Sequence, residues 1–245
     1  MKIVVIIPTY NEKESVGGIL EALCGKVFKA IQNHEMKVLV VDGNSPDGTA
    51  EAVAAASRRH QNIFLIKEKE KRGIGAAYVA GMKYAIEKLG ADAVVEFDGD
   101  WQHNPEDIKR LVAEFDKGYD YIIGSRYVPG GSIPKEWALW RKFLSRLGGF
   151  TAKFVLGLPV NDTTSGLKLS RVKNFAELLP LDENKVLSKY YAYKIQFLYE
   201  MLRRGAKTKE IPIQFLERRG GSSKSTLRDI FDSLRVVFAL KFKKR

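Results

Sequence analysis

The chain has 245 residues, 45% hydrophobic and 29% charged, enough to bury the core of one large α/β domain and too apolar for a disordered chain. A single cysteine, Cys24, excludes a disulfide scaffold. The net charge of +12 is uneven: Arg203–Arg245 holds 13 Lys/Arg against 4 Asp/Glu, and Arg126–Leu158 holds 6 against 1, a surplus that calls for an anionic partner such as phosphates, a lipid surface or nucleic acid.

Met1–Ile7 runs straight into a strand and is too short in its apolar stretch for a signal peptide. No run reaches the roughly 18–20 apolar residues of a membrane span, so the expectation is a protein not integral to a membrane. Strands are predicted at Ile3–Ile7, Val38–Val41, Ile63–Ile66, Ala93–Phe97 and Tyr121–Ile123. Helices are predicted between them at Glu14–Leu23, Ala50–His60, Ala76–Leu89 and Pro105–Asp116. This alternation reads as βαβ units on a parallel sheet, with the chemistry-bearing loops at the carboxyl ends of the strands. Beyond Gly124 the pattern changes. Ile133–Leu156 interleaves Trp137, Trp140, Phe143, Leu144 and Leu147 with Lys135, Arg141, Lys142, Arg146 and Lys153, and Gly148-Gly149 is expected to divide it into two helices. A strand near Leu167–Leu169, a helix over Lys189–Arg204, a strand at Ile211–Phe215, a loop at Glu217–Lys224 and a last helix over Thr226–Lys243 follow. No linker divides the chain.

Three polar loops fall on one predicted sheet edge. In Val94-Val95-Glu96-Phe97-Asp98-Gly99-Asp100-Trp101-Gln102-His103, strand alternation would turn Asp98, Asp100 and Gln102 to one side, offering oxygens to one hard cation. Mg²⁺ or Mn²⁺ held by few protein oxygens keeps positions open for substrate phosphates; a solvated acidic turn is the alternative. In Pro8-Thr9-Tyr10-Asn11-Glu12, Pro8 fixes the exit from the strand while Tyr10 and Glu12 suit a nucleobase and ribose; alternatively Asn11 caps the next helix. Asp42 in Asp42-Gly43-Asn44-Ser45-Pro46-Asp47-Gly48-Thr49 suits a base N–H or ribose hydroxyl, with Asp47 or Thr49 capping the helix that follows. Gly73-Ile74-Gly75 suits either phosphate or, more simply, close helix packing. His103 lies near the proposed site with either a supporting or a structural role. Asp162-Thr163-Thr164-Ser165-Gly166 reads as a turn or as part of an acceptor site.

These motifs, with Gly124-Ser125-Arg126-Tyr127 and Glu217-Arg218-Arg219-Gly220-Gly221-Ser222-Ser223-Lys224, resemble in content and order the dolichol-phosphate mannosyltransferases, inverting enzymes of glycosyltransferase family two, from Ile3 to about Lys224. The resemblance implies a GT-A type α/β fold: a mixed, mainly parallel sheet flanked by helices, in a single domain. We divide it into a catalytic unit over 1–225 and a C-terminal amphipathic helix with a basic tail over 226–245. It further implies that Pro8, Tyr10, Glu12 and Asp42 line a GDP pocket and that Asp98, Asp100 and Gln102 hold Mg²⁺ or Mn²⁺. Arg126, and by position Arg141 and Ser145, would bind the acceptor phosphate, while Arg218 and Lys224 would close over the diphosphate. Asp42-Gly43 stands where the family commonly has two consecutive aspartates, and Gly99 where alanine is usual.

The implied reaction moves mannose from GDP-mannose to a dolichyl or polyprenyl phosphate, with inversion. A phosphate monoester is already anionic near neutrality, its second pKa being about 6, so clamps matter more than a general base. The expected setting is the cytoplasmic face of a membrane, reached by the apolar segment and the basic tail or through a separate membrane-anchoring subunit. The rival within enzymes transfers glucose or another sugar from UDP. A nucleic-acid-binding protein is the remote alternative, disfavoured because Asp98 and Asp100 would repel a phosphate backbone.

Overall fold

Aliphatic runs without alternation belong in strands buried on both faces, and the first strand shows this directly. The computed structural model describes residues 1–176, 179–182, 184–218 and 227–243. In β1 (Lys2–Thr9), Ile3, Val5 and Ile7 enter one core while Val4 and Ile6 enter the other. The first core lies under α1 (Lys13–Glu21), α2 (Thr49–Ser57) and α4 (Asp107–Asp116); the second lies under α3 (Ile74–Glu87) and α6 (Tyr193–Arg203).

The sheet has seven strands in the order β3-β2-β1-β4-β6-β5-β7. The other strands are β2 (Glu35–Asp42), β3 (Ile63–Lys67), β4 (Ala93–Glu96), β5 (Tyr121–Ser125), β6 (Lys168–Arg171) and β7 (Thr208–Pro212). All pairs are parallel except those of β6, which runs antiparallel to both β4 and β5. That reversal matters for the site. The loops leaving β1 to β5 and β7, and the loop entering β6, all reach one edge.

Several boundaries differ from expectation. Gly148-Gly149 does not break a helix: α5 runs unbroken over Leu139–Leu156. Each glycine costs only about 1 kcal/mol relative to alanine, and α5 is held by α7 (Leu227–Phe242) through a small core of Ala152, Ile195, Val236, Val237 and Leu240. The helix begins at Leu139 rather than Ile133, the backbone still being extended at Ala138 (φ −55°, ψ 143°). After Glu21 the first helix widens into a π turn, Ala22–Val27, that buries Cys24, whose thiol burial pushes up to about 12. The Lys189–Arg204 helix begins four residues late, at Tyr193, because Lys189 turns its carbonyl to the Gly75 N–H at 2.9 Å.

Two buried charges neighbour each other where β4 meets β6, though neither Glu96 Oε1 nor Lys168 Nζ has a hydrogen-bond partner among the described residues. Glu96 is the register partner of Lys168, and both are essentially inaccessible. Burial pushes the Lys168 ammonium down to about 8 while Glu96 works to keep it charged; Glu96 also accepts from Tyr193 Oη at 2.6 Å. Lys168→Met removes the cation that offsets Glu96 and should lower stability, by less than the roughly 3–5 kcal/mol of a directly bonded buried pair. Adding Glu96→Gln should recover much of the loss in a urea titration. A double variant no more stable than the single would show that the two charges do not compensate each other.

Candidate active site

At the common edge lies a cleft of about 930 Å³. Its floor carries Asp98, Gly99, Asp100 and Gln102, one wall Pro8, Tyr10, Glu12 and Gly43, and the far wall Ile230, Leu234 and Val237 of α7. The cleft thus joins a polar end at the strand tips to an apolar end between α5 and α7.

The two aspartates meet there, but not through strand alternation. β4 stops at Glu96, and the chain turns through Trp101 at φ 64°. Asp98 accepts from Tyr78 Oη at 2.8 Å and has Lys194 Nζ and His103 Nε2 each 3.7 Å from Oδ2. Burial works to raise its carboxyl, yet Lys194, His103 and Tyr78 together hold it well below the usual carboxylate range. Asp100 goes the other way: burial and the Asp98 charge raise it, against Arg218. Arg218 Nη2 donates to Asp100 Oδ2 at 2.7 Å and its Nη1 lies 3.7 Å from Glu12 Oε1, so one guanidinium bridges two loops. Gln102 Nε2 donates to the Leu216 carbonyl at 3.3 Å. His103 is buried between Phe97 and Phe215, behind Asp98.

Arg126 is positioned differently from the open phosphate ligand expected. Its Nε and Nη2 donate to Asp162 at 2.7 Å each, and Nη2 also donates to Thr164 Oγ1 at 2.9 Å. Burial opposes both charges, yet each holds the other ionised: Arg126 is raised and Asp162 lowered. This pair shapes the 162–166 loop, which therefore belongs to the cleft through Thr164 and Gly166. Lys224 lies outside the described residues, as do the side chains of Arg141 and Ser145.

Beyond β1, Pro8, Tyr10 and Glu12 line the cleft. Lys71 Nζ stands 3.9 Å from the centroid of the Tyr10 ring. Asn11, at φ 57°, makes no cap; its N–H donates to Ser45 Oγ. The N-cap is neither Asp47 nor Thr49 but Gly48, and Asp47, one residue ahead of it, accepts from the Thr49 N–H at 3.0 Å. Asp42 is not where the sequence suggested. It is fully buried, accepts from Thr9 Oγ1, Ser45 Oγ and the Ser45 N–H, and serves to hold the turn. Gly73 and Gly75 serve packing, as the simpler reading had it: a Cβ on Gly73 would lie 2.5 Å from the Lys189 carbonyl oxygen. Among the cleft residues that sequence reading missed are Lys194 and Glu68. Lys194 sits at the helical position after a tyrosine run with no motif around it, and Glu68 lies in a run of alternating charges.

Residues 4–179 match the family description Glycosyl transferase family 2. This chain belongs to glycosyl transferase family 2. It is 36% identical over 231 residues to the polyprenol monophosphomannose synthase of Mycolicibacterium smegmatis, covering 94% of this chain and 83% of that one. It is likewise 36% identical to the undecaprenyl-phosphate mannosyltransferase of Micrococcus luteus, covering 91% and 87%. The dolichol-phosphate mannosyltransferase of Pyrococcus furiosus is 34% identical over 98% of this chain, which spans 64% of that protein. Among solved structures, the glucosyl-3-phosphoglycerate synthase of Mycobacterium tuberculosis, in complex with Mn²⁺, UDP and glucosyl-3-phosphoglycerate, superposes with a TM-score of 0.66 at 16% identity, covering 100% of this chain and 81% of that one. These findings make the protein a family 2 glycosyltransferase with a GT-A-like sheet.

Gly166 is the position where this family 2 site has least room. An added Cβ would fall on Asp98 Oδ2 and 2.7 Å from His103 Nε2. Gly166→Ala should thus displace the Asp98 carboxylate and cut glycosyl transfer at least about tenfold, at a stability cost of about 1–3 kcal/mol. Turnover and thermal unfolding measured on one preparation check this; unchanged turnover would mean that the exact placement of Asp98 is immaterial.

Proposed function

We propose that this enzyme transfers mannose from GDP-mannose to a polyprenyl or dolichyl phosphate, inverting the anomeric centre. The observation that carries the reading is the shape of the cleft, with a carboxylate pair at one end and apolar walls of α5 and α7 at the other. Relatives whose names specify polyprenol-linked mannose transfer, matched over nine-tenths of the chain, support it.

A divalent cation suits the polar end. Two carboxylates supply hard oxygen donors. Among the described residues no three His, Cys, Asp or Glu side chains gather for a metal, so Asp98 and Asp100 would hold the ion with Gln102 Oε1 and the substrate diphosphate. Bound there, Mg²⁺ or Mn²⁺ would neutralise the diphosphate as it leaves. Tyr10 and Glu12, with the Pro8 backbone, would seat the nucleoside. Arg218, released from Asp100, would pair with the diphosphate, helped by Lys224. Arg126 would meet the acceptor phosphate through Nη1 while Asp162 fixes the other side of its fork, and Arg141 would join it from α5. With both anions clamped, the acceptor oxygen attacks the anomeric carbon from the face opposite the leaving group.

Residues 1–225 would form the catalytic unit and 226–245 a lipid-facing helix. Among the described residues no helix is long and apolar enough to cross a membrane. Instead α5 exposes Leu139, Trp140, Leu147, Phe150 and Phe154, and α7 exposes Phe231, Phe238 and Phe242. Phe150 stacks on Phe154, and Phe238 on Phe242. Trp137, expected to insert, instead packs edge-on against Phe215 within the cleft wall. Lys142, Lys241 and Lys243 flank the apolar surface, and each such charge adds about 1 kcal/mol of attraction to anionic lipid. The working position would be peripheral, on the cytoplasmic face of a membrane.

Asp98→Ala and Asp100→Ala should nearly abolish mannose transfer from labelled GDP-mannose to a polyprenyl phosphate while circular dichroism stays native; wild-type turnover in both would remove the carboxylates from the chemistry. Vesicle co-sedimentation should rise with anionic lipid, fall with salt, and drop several-fold in a Phe150→Ser/Phe154→Ser/Phe238→Ser variant. Equal sedimentation of variant and wild type would place the membrane contact elsewhere on the chain, and no sedimentation of either would point to a separate anchoring subunit.

A further inference from the structure

Glu68 stands at the inner end of the nucleotide compartment, one residue past β3. Its N–H donates to the Asp42 carbonyl at 2.8 Å, which fixes it beside the end of β2. Only 4% of its side chain is exposed, yet it lines the cleft together with Tyr10, Gly43, Lys71 and Arg72. Arg72 orients it: Nε, at 3.1 Å, and Nη2 both donate to the same oxygen, Oε1. A carboxylate has about four acceptor positions, so this pairing compensates the charge without filling the group. Asp42, the residue that sequence assigned to the base, is filled by Thr9 and Ser45 and is fully buried. The flat Tyr10 ring borders the compartment beside Gly43.

We propose that Glu68, held by Arg72, is the residue that reads the nucleobase, and that the base it selects is guanine. The proposal rests on a nucleoside diphosphate sugar as donor and deepens that reading by naming the contact that chooses the base. Guanine carries two adjacent donors on one edge, N1–H and the N2 amino group, and a carboxylate accepts both side by side. Uracil offers one N–H between two carbonyls, and adenine presents a bare ring nitrogen, so each would set an acceptor against the carboxylate. Rejection by an unmatched buried polar group is the strongest form of discrimination a pocket has.

Calorimetry of the full chain with GDP, IDP (which lacks the 2-amino group) and UDP, in Mn²⁺ buffer, tests this. Wild type should bind GDP about tenfold or more tighter than IDP, because a hydrogen bond to a charged group is worth about that much or more. In Glu68→Gln the GDP affinity should fall about tenfold or more, the GDP-to-IDP ratio should collapse towards one, and UDP should be little changed. Glu68→Asp, which keeps the carboxylate, should bind GDP more weakly but still prefer it to IDP; this variant carries the test if Glu68→Gln does not fold. An unchanged GDP-to-IDP ratio in Glu68→Gln, or equal wild-type affinity for GDP and IDP, would overturn the role of Glu68 and leave the GDP donor standing. Wild-type binding of UDP as tight as that of GDP would overturn the donor assignment itself.

Discussion

Setting Asp98 and Asp100 side by side in a partly buried cleft creates a repulsion that the rest of the site is built to offset. Each carboxylate draws cations from a different part of the chain. Lys194 comes from α6, His103 from the loop after β4, and Arg218 from the segment after β7. Because the two carboxyls are pushed in opposite directions, the pair is not symmetrical: Lys194, His103 and Tyr78 hold Asp98 ionised, whereas burial and Asp98 raise Asp100 against the single guanidinium of Arg218.

The sheet explains why groups so far apart in sequence converge. Six strands run one way, and β6, the exception, delivers the loop before it rather than the loop after it. Arg126, at the exit of β5, can therefore meet Asp162, ahead of β6, in a bidentate pair. A seventh parallel strand would have sent residues 162–166 to the opposite edge, and Gly166 would not abut Asp98.

Much of this was legible in the sequence because the signals were local. Uninterrupted aliphatic runs gave the strands, and the unusual polar loops at their ends gave Tyr10, Glu12, Asp98 and Asp100. Three kinds of information were not local. Asp42 sits in a strong strand-end motif, yet its hydrogen bonds are satisfied by Thr9 and Ser45, and only coordinates reveal whether a carboxylate faces inward or outward. The partner of Arg126 lies 36 residues away across an antiparallel strand whose direction no periodicity announces. Gly148-Gly149 looks like a breaker, but tertiary packing of α5 on α7 outweighs the intrinsic preference of two glycines. Lys194 and Glu68 escaped because a lone charge inside a helix or a charged run carries no pattern of its own.

The stacked phenylalanine pairs on α5 and α7 also govern the protein away from lipid. Water solvates those rings poorly, and a second copy of the chain can cover them as well as a bilayer can. On the proposed reading, self-association and membrane docking would compete for one surface. High salt, which screens the flanking lysines from anionic lipid and from each other, would favour the first; dilute protein over a charged bilayer would favour the second. The state in which the protein is handled would thus set what covers these rings.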